Sequence, residues 1–291
     1  MIIVKVHYGL GNQLFQYALA RSLSIQKGLE FGLDITFFAG PPDLENPRIF
    51  QLGQFNILQN IVSAEKIDKY VRPSYLQRRW RNLVHTAVPY YKRKVVYEKK
   101  LDFDENILKV KDDSYLFGYW QDIRYFLSIE NIIRKELTFK NEASGYNKEL
   151  LHKIKNTNSV CIHVRRGDYL TDEYTVQNVG ICDLRYYYKG IEHITSKISQ
   201  PNFFIFSDDI EWAEKNIKLD HTTVFVKHNS QQQAFEDLRL MSNCRHHIIA
   251  NSSFSWWGAW LSNFENKTVI APSIWRSKGP AMFLPDSWKS L

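Results

Sequence analysis

Five short apolar runs, at 158–164, 202–206, 222–226, 246–250 and 267–271, alternate in the second half of the chain with stretches of helical periodicity at 183–198, 209–217, 230–243 and 252–263. Apolar runs without polar alternation read as strands buried on both faces, and strand–helix alternation reads as a doubly wound parallel α/β sheet. In such a sheet the strand ends gather along one edge, where ligands of open α/β sheets bind.

Three strand ends carry chemistry. The first closes Ser159-Val160-Cys161-Ile162 with His163-Val164-Arg165-Arg166-Gly167-Asp168-Tyr169. Strand alternation puts His163 and Arg165 on one face and Val164 and Arg166 on the other. Gly167 permits a tight turn. A guanidinium fork matches a phosphate bidentately and keeps its charge at any working pH. The expected ligand of Arg165 is therefore an anion, a diphosphate by preference; the alternative is a strand-end ion pair from Arg165 or Arg166 to Asp168. The second strand end is Phe206-Ser207-Asp208-Asp209. Adjacent acids differ from the separated acids of a metal-dependent transferase. Asp208 and Asp209 are read as loop-ordering, with Arg165 and main-chain amides supplying the charge a metal would bring. The third is Ile249-Ala250-Asn251-Ser252-Ser253-Phe254-Ser255-Trp256-Trp257-Gly258, in which Asn251-Ser252-Ser253 opens a helix. Serine hydroxyls and unpaired N–H groups there suit phosphate oxygens, or they make an ordinary N-cap. Asp237, in Phe235-Glu236-Asp237-Leu238, is either a plain charged helix residue or a carboxylate accepting two hydrogen bonds from the edge of guanine.

The N-terminal part opens with a strand, Ile2–Val6, which runs through His7-Tyr8-Gly9-Leu10-Gly11-Asn12-Gln13 into a helix with Leu14, Phe15, Ala18, Leu19 and Leu23 on one face. Strand, glycine loop and helix can cradle a phosphate, or simply pack a helix on a strand. The pattern is Gly-x-Gly-x-x-Leu, without the third glycine of a dinucleotide fingerprint, and Asp34 at the end of a second strand, Phe31–Phe38, stands where a ribose-binding acid would. Residues 40–75 read as irregular. Leu116–Gln121 reads as a strand end, followed by a helix capped by Asp122 and running through Phe126, Ile129, Ile132 and Ile133. Rising polarity at Lys140–Asn147 marks a domain boundary.

The net charge of +7 favours acidic ligands or an anionic surface. Between Gln77 and Lys100, eight basic residues (Arg78, Arg79, Arg81, Lys92, Arg93, Lys94, Lys99, Lys100) face one acid, Glu98. This stretch is a solvated basic face, a contact for anionic lipid, or a nucleic-acid patch. Three widely spaced cysteines without a CxxC pair argue against zinc and against a disulfide framework. With no leader-like segment and no apolar run near about 18 residues, a cytoplasmic setting is expected.

Taken together, Gly9-Leu10-Gly11-Asn12-Gln13-Leu14-Phe15-Gln16-Tyr17-Ala18, His163–Tyr169, Ser207-Asp208-Asp209 and Asn251–Leu261 resemble the α-1,2-fucosyltransferases, glycosyltransferase family 11 in its bacterial form. Gly118-Tyr119-Trp120-Gln121 fits as well. The resemblance implies a GT-B-like α/β architecture, two Rossmann-like domains facing a cleft. An N-terminal acceptor-side domain would span 1–143 and a C-terminal GDP-fucose-binding domain 144–291. It implies inverting, metal-independent transfer of L-fucose from GDP-L-fucose to the 2-hydroxyl of a terminal β-galactoside, in surface polysaccharide synthesis such as that of O-antigen. Another GDP-sugar or linkage, or a non-catalytic GDP-sugar-binding protein, is the alternative. Carried over residue by residue, Arg165 binds the β-phosphate of the departing GDP and His163 lies near the nucleotide. Asp237, 16 residues before Ser253, reads guanine; Ser252 and Ser253 hold phosphate, and Gly9, Gly11 and Asn12 close on the donor. The general base is Asp168 or Glu173, or proton transfer runs through water; family 11 members do not generally carry an acid at the position of Glu173. No cofactor or metal is implied beyond the donor. The implied partners are the donor and a galactoside or lipid-linked glycan, with peripheral inner-membrane contact through Arg78–Lys100 and no nucleic acid.

Overall fold

The computed structural model describes residues 1–40, 48–72, 88–167, 170, 179–276 and 282–291. The chain divides into two compact units, Met1–Thr138 and Phe139–Leu291.

The first unit contains, in order, β1 (Ile2–Lys5), α1 (Leu10–Lys27), β2 (Phe31–Asp34), α2 (Ala64–Val71), β3 (Val95–Tyr97), β4 (Ser114–Phe117) and α3 (Glu130–Glu136). Its four strands are parallel, in the order β2-β1-β4-β3. Ile2, Ile3 and Val4 are completely buried, as a central parallel strand covered on both faces requires. Helix α1 buries Leu14, Phe15, Ala18, Leu19 and Leu23. It ends at Gly28, whose left-handed backbone (φ 64°) turns its own N–H to Ile25 O and that of Leu29 to Ser24 O.

Three local expectations change here. The second strand stops at Asp34 instead of continuing to Phe38, because Asp34 Oδ1 accepts from the Thr36 N–H (2.8 Å) and hydroxyl (2.6 Å) and folds the chain into a 3-10 turn, Thr36–Ala39. Asp122 caps a short 3-10 turn, Ile123–Tyr125, by accepting from the Arg124 N–H, and α3 begins only at Glu130. The segment read as irregular holds α2, whose Ile67 and Tyr70 pack with Ile3, Val95 and Tyr115. Of the basic stretch, Arg78, Arg79 and Arg81 lie outside the described residues. Lys92, Lys94 and Lys99 sit over the rings of Tyr91, Tyr70 and Tyr90.

The second unit runs α4 (Gly145–Lys155), β5 (Asn158–Val164), α5 (Leu184–Thr195), β6 (Pro201–Ser207), α6 (Ile210–Asn216), β7 (Thr223–Val226), α7 (Ala234–Ser242), β8 (His246–Ile248), α8 (Ser253–Leu261), β9 (Val269–Ala271) and β10 (Lys289–Ser290). The strands are all parallel, in the order β10-β9-β8-β5-β6-β7. The chain winds outward in both directions from β5, so the gap between β5 and β8 is the topological switch point, where this fold binds ligands. Side chains alternate along β5 as expected. Val160, Ile162 and Val164 pack with Tyr187, Ile191 and Ile194 of α5, while Cys161 packs on the other face with Leu150, Ile154, Leu240 and Met241. All three cysteines are free and buried. Among the described residues no helix is long and apolar enough to cross a membrane.

Candidate active site

The last rung between β5 and β6 pairs Val164 with Ser207. One residue further on, Arg165 meets Asp208, with Nη1 3.1 Å from Oδ2. The same carboxylate accepts the N–H groups of Arg166 (2.9 Å) and Gly167 (3.0 Å). Asp208 thus wraps the turn that carries the motif, and a Cβ at position 167 would lie 2.8 Å from its Oδ2, which explains the glycine. Arg166 turns to the other side, its guanidinium 3.7 Å from the Trp212 ring centre and its Nε 3.6 Å from Asp209 Oδ2. Asp209 also caps α6 by accepting the Trp212 N–H. The described ion-pair partners of the two arginines are therefore acids at the end of β6. Asp168 and Glu173 lie outside the described residues.

The Arg165 side chain keeps 21% of its surface accessible, so a ligand at the switch point can reach it. His163, one turn of the pleat earlier, is buried with its ring 5.7 Å from that of Phe254 in α8. Its Nδ1 is buried without a hydrogen-bond partner. Burial, reinforced by the charge of Arg165, pushes its pKa down to about 3, so the imidazole is neutral at physiological pH. Asp237, on α7, is half-buried and raised to about 7, because burial disfavours its charge and Glu236 repels it; the hydrogen bond from Asn229 works the other way. That bond, Asn229 Nδ2 to Asp237 Oδ1 at 2.7 Å, is one link of a chain. Asn229 and Asn147 exchange side-chain bonds of 2.8 and 3.1 Å, and Asn147 Oδ1 meets His228 Nε2 at 2.7 Å. Burial pushes the Cys161 thiol of β5 well up, with the neighbouring Cys244 and, least, Asp237 adding to it.

At the end of β8, Asn251 is a staple. Its Nδ2 donates to the carbonyls of Val179, Gly180 and Trp275, and its Oδ1 faces the Cys182 thiol at 3.5 Å. Ser252 is the N-cap of α8, accepting the Phe254 N–H, and Ser253 opens the helix half-buried. His163, Arg165 and the start of α8 thus stand at the two strands that flank the switch point.

In the first unit Gly9 is the N-cap of α1, without a capping side chain, and Gly11 and Asn12 already belong to the first turn. The loop is held by two buried glutamines. Gln13 bonds the carbonyls of Tyr8 and Ile49 and the Gln51 N–H; Gln16 bonds the His7 N–H and the Gly118 carbonyl. Asn12 Oδ1 accepts from Gln121 Nε2 at 2.6 Å. Asp34 is not a ribose acid. It is completely buried and occupied by the Tyr115 hydroxyl (2.5 Å), Thr36 and Lys5. Among the described residues no cluster of three or more His, Cys, Asp or Glu is placed to hold a metal ion.

Sequence reasoning missed the work of Asp208 for Arg165, of Asn229 for Asp237, and of Gln13 and Gln16 for the loop. Only the first left a readable signal, since both residues stand just past the ends of neighbouring strands.

Comparison with known proteins places the chain. The family model for glycosyl transferase family 11 matches residues 66–285. An α-1,2-colitosyltransferase of Escherichia coli is 33% identical over 94% of this chain and 92% of its own length. The O-antigen biosynthesis glycosyltransferase WbnK of the same organism is 33% identical over 97% and 98%. Among solved structures, the α-1,6-fucosyltransferase NodZ soaked with GDP-fucose shares the fold, with a TM-score of 0.51 at 14% identity, over 89% of this chain and 92% of that one. The chain is an enzyme of the fucosyltransferase type and belongs to glycosyltransferase family 11.

Proposed function

We propose that the chain transfers L-fucose from GDP-L-fucose to the 2-hydroxyl of a terminal β-galactoside, with inversion and without a metal, in the assembly of an O-antigen-type glycan. The observation that carries this reading is Arg165, fixed by Asp208 at the switch point of the second sheet beside the N-terminus of α8. On this reading the second unit binds the donor and the first faces the acceptor.

The sugar leaves through an oxocarbenium-like state, so charge accumulates on the departing diphosphate. Arg165 meets that charge; a preorganised donor at such a position is typically worth about 3–4 kcal/mol. Asp208 keeps the guanidinium aimed, at no cost of reorganisation during the step. The N-terminal end of α8, with Ser253, takes a second phosphate oxygen, and Ser252 keeps the helix end in place. His163 stays neutral and adds no competing charge. Asp237, turned by Asn229, accepts from the guanine edge. Gly9, Gly11 and Asn12 contact the donor from α1. The galactose 2-hydroxyl attacks from the opposite face and gives its proton to a carboxylate of the segment after Gly167, for which Asp168 and Glu173 are the candidates. Separate Asp168→Asn and Glu173→Gln variants assign it, with a loss of about 10²–10⁴-fold expected for the base.

A second reading concerns the donor alone. The relation to an α-1,2-colitosyltransferase favours a GDP-linked colitosyl group as the rival sugar. Purified chain incubated with GDP-fucose or GDP-colitose and a panel of β-galactosides, followed by linkage analysis, tests both. The expected product is the α-1,2-linked fucoside, formed equally well in EDTA. A product at another hydroxyl, or no turnover with any GDP-sugar, refutes the reading; a colitoside alone decides for the second donor. Location at the cytoplasmic face of the inner membrane belongs to the same proposal. It is tested by partitioning onto anionic vesicles with Lys92, Lys94, Lys99 and Lys100 neutralised.

A further inference from the structure

The first unit carries a cluster of rings that the proposed chemistry leaves unused. His7, just past β1, is buried, and its imidazole touches four other rings: Tyr8 (centroids 5.0 Å apart), Phe37 (6.1 Å), Phe117 (5.0 Å, stacked) and Tyr119 (5.2 Å). Tyr8 stacks on Tyr119 at 5.6 Å and leans on Phe37 at 5.2 Å. Phe37 follows β2 and Phe117 ends β4, so the cluster spans the carboxyl ends of three adjacent parallel strands. Single exposed apolar side chains are commonplace. Here three large rings around one imidazole stand partly open: Tyr8 44% exposed, Phe37 37% and Phe117 37%.

Tyr8 carries a second signal. Its backbone is left-handed, with φ 62°. A tyrosine is strained there and a glycine is not. Its half-exposed ring returns little burial to offset that strain. Strain retained at a ligand-facing strand end points to use of the side chain. The floor is uncharged as well, because burial and the nearby Lys5 push His7 down to about 4. Apart from Lys5, whose Nζ lies 5.9 Å from the Phe117 ring centre, the cluster carries no charge, and its ring faces, tilted by 44° between Tyr8 and Phe37, suit a neutral sugar. The C–H groups of a galactopyranose lie together on one face, and aromatic faces receive such a patch while hydroxyls remain at the rim. The charged diphosphate and the guanine of the donor find their counterparts instead in Arg165 and Asp237.

We propose that Tyr8, Phe37 and Phe117, arranged around His7, form a stacking platform for the galactose ring of the acceptor glycan. The inference rests on the glycan acceptor proposed above. The direct test needs no turnover: saturation-transfer NMR of the full chain with lactose as the probe, without donor. Saturation should reach the galactose ring protons, and Tyr8→Gly or Phe37→Ala should each weaken lactose binding about tenfold, while Tyr8→Phe keeps it. Tyr8→Gly relieves the backbone, so its thermal midpoint should equal or exceed that of the wild type, which separates lost binding from lost folding. The kinetic arm tells acceptor from donor. The acceptor KM should rise about tenfold in both variants, with the GDP-sugar KM and the slow acceptor-free hydrolysis of donor unchanged. No saturation transfer in the wild type, equal binding by Tyr8→Gly, or a matching rise in donor KM each overturns the proposal. Failure of every GDP-sugar to react overturns the proposed function but leaves the NMR result to stand by itself.

Discussion

Replacing Asp237 by asparagine should move stability and donor affinity in opposite directions. In the folded chain this carboxyl is raised from its ordinary value of 3.8 to about 7. Between those values the folded state binds more protons than the unfolded one, so wild-type stability falls as pH rises from about 4 to about 7, and the penalty is complete above that. The full penalty is about 4 kcal/mol at 1.36 kcal/mol per pH unit. The side chain is only half-buried, and solvent screening brings the expected figure to about 2 kcal/mol. Asp237→Asn keeps the Oδ1 that accepts from Asn229 and loses the charge. At pH 8 it should therefore unfold about 4–8 °C above the wild type, and the gap should close near pH 4. GDP binding at pH 8, measured by calorimetry, should weaken about 10–100-fold, because a charge-assisted acceptor for the guanine edge has gone. Wild-type affinity should fall as pH drops below about 7, when the carboxyl takes up its proton. A variant that binds GDP normally, or one that is less stable than the wild type at pH 8, refutes the reasoning.

Asp208→Asn removes the charge that aims Arg165 but keeps one acceptor for the turn. Turnover should fall about 10²-fold, the usual cost of a misplaced catalytic group, with a loss of roughly 1–3 kcal/mol in stability by denaturant unfolding. Arg165→Ala should lower turnover about 10²–10³-fold while the circular dichroism spectrum stays native; near-normal rates exclude it from the chemistry. Asp34→Ala strands the buried Tyr115 hydroxyl and should cost about 2–4 kcal/mol, yet leave GDP affinity unchanged per folded molecule, as befits a structural acid. Gly118→Ala sets a Cβ 2.5 Å from that of Glu98 and 2.8 Å from the Trp120 ring; about 1–3 kcal/mol of stability should go with it.

The alternation of apolar runs and amphipathic segments was legible because it is local. β5 spans Asn158–Val164, as the apolar run from 158 to 164 predicts, and β6, β7, β8 and β9 fall where their runs lie. Short elements without a clear period escaped: three-residue β3 sits in a lysine-rich stretch, and two-residue β10 gains its strand character only by pairing with β9. Helix α4 was hidden in the polar stretch read as a boundary, while the two units divide between Thr138 and Phe139. The Phe31–Phe38 run failed as one strand because a side chain, Asp34, competes for the backbone N–H of Thr36. Arg165 stands just past the end of β5, as its motif predicts, but the acid that holds it lies 43 residues on, at Asp208, and their shared place past the ends of neighbouring strands is the one trace of the pair in the sequence. The same holds for Gln13 and Gln16, whose partners include Ile49 and Gly118.

The rung that joins Val164 to Ser207 has an evolutionary corollary. Two arginines follow it past one strand and two aspartates past the other, in step, 165 with 208 and 166 with 209. A single inserted or deleted residue within either strand would put both pairs out of phase at once. Lengthening the connection after Gly167 leaves them aligned. Descendants of this chain can therefore explore new sugars and new attacking hydroxyls by rewriting connections, while the spacing inside these two strands stays frozen.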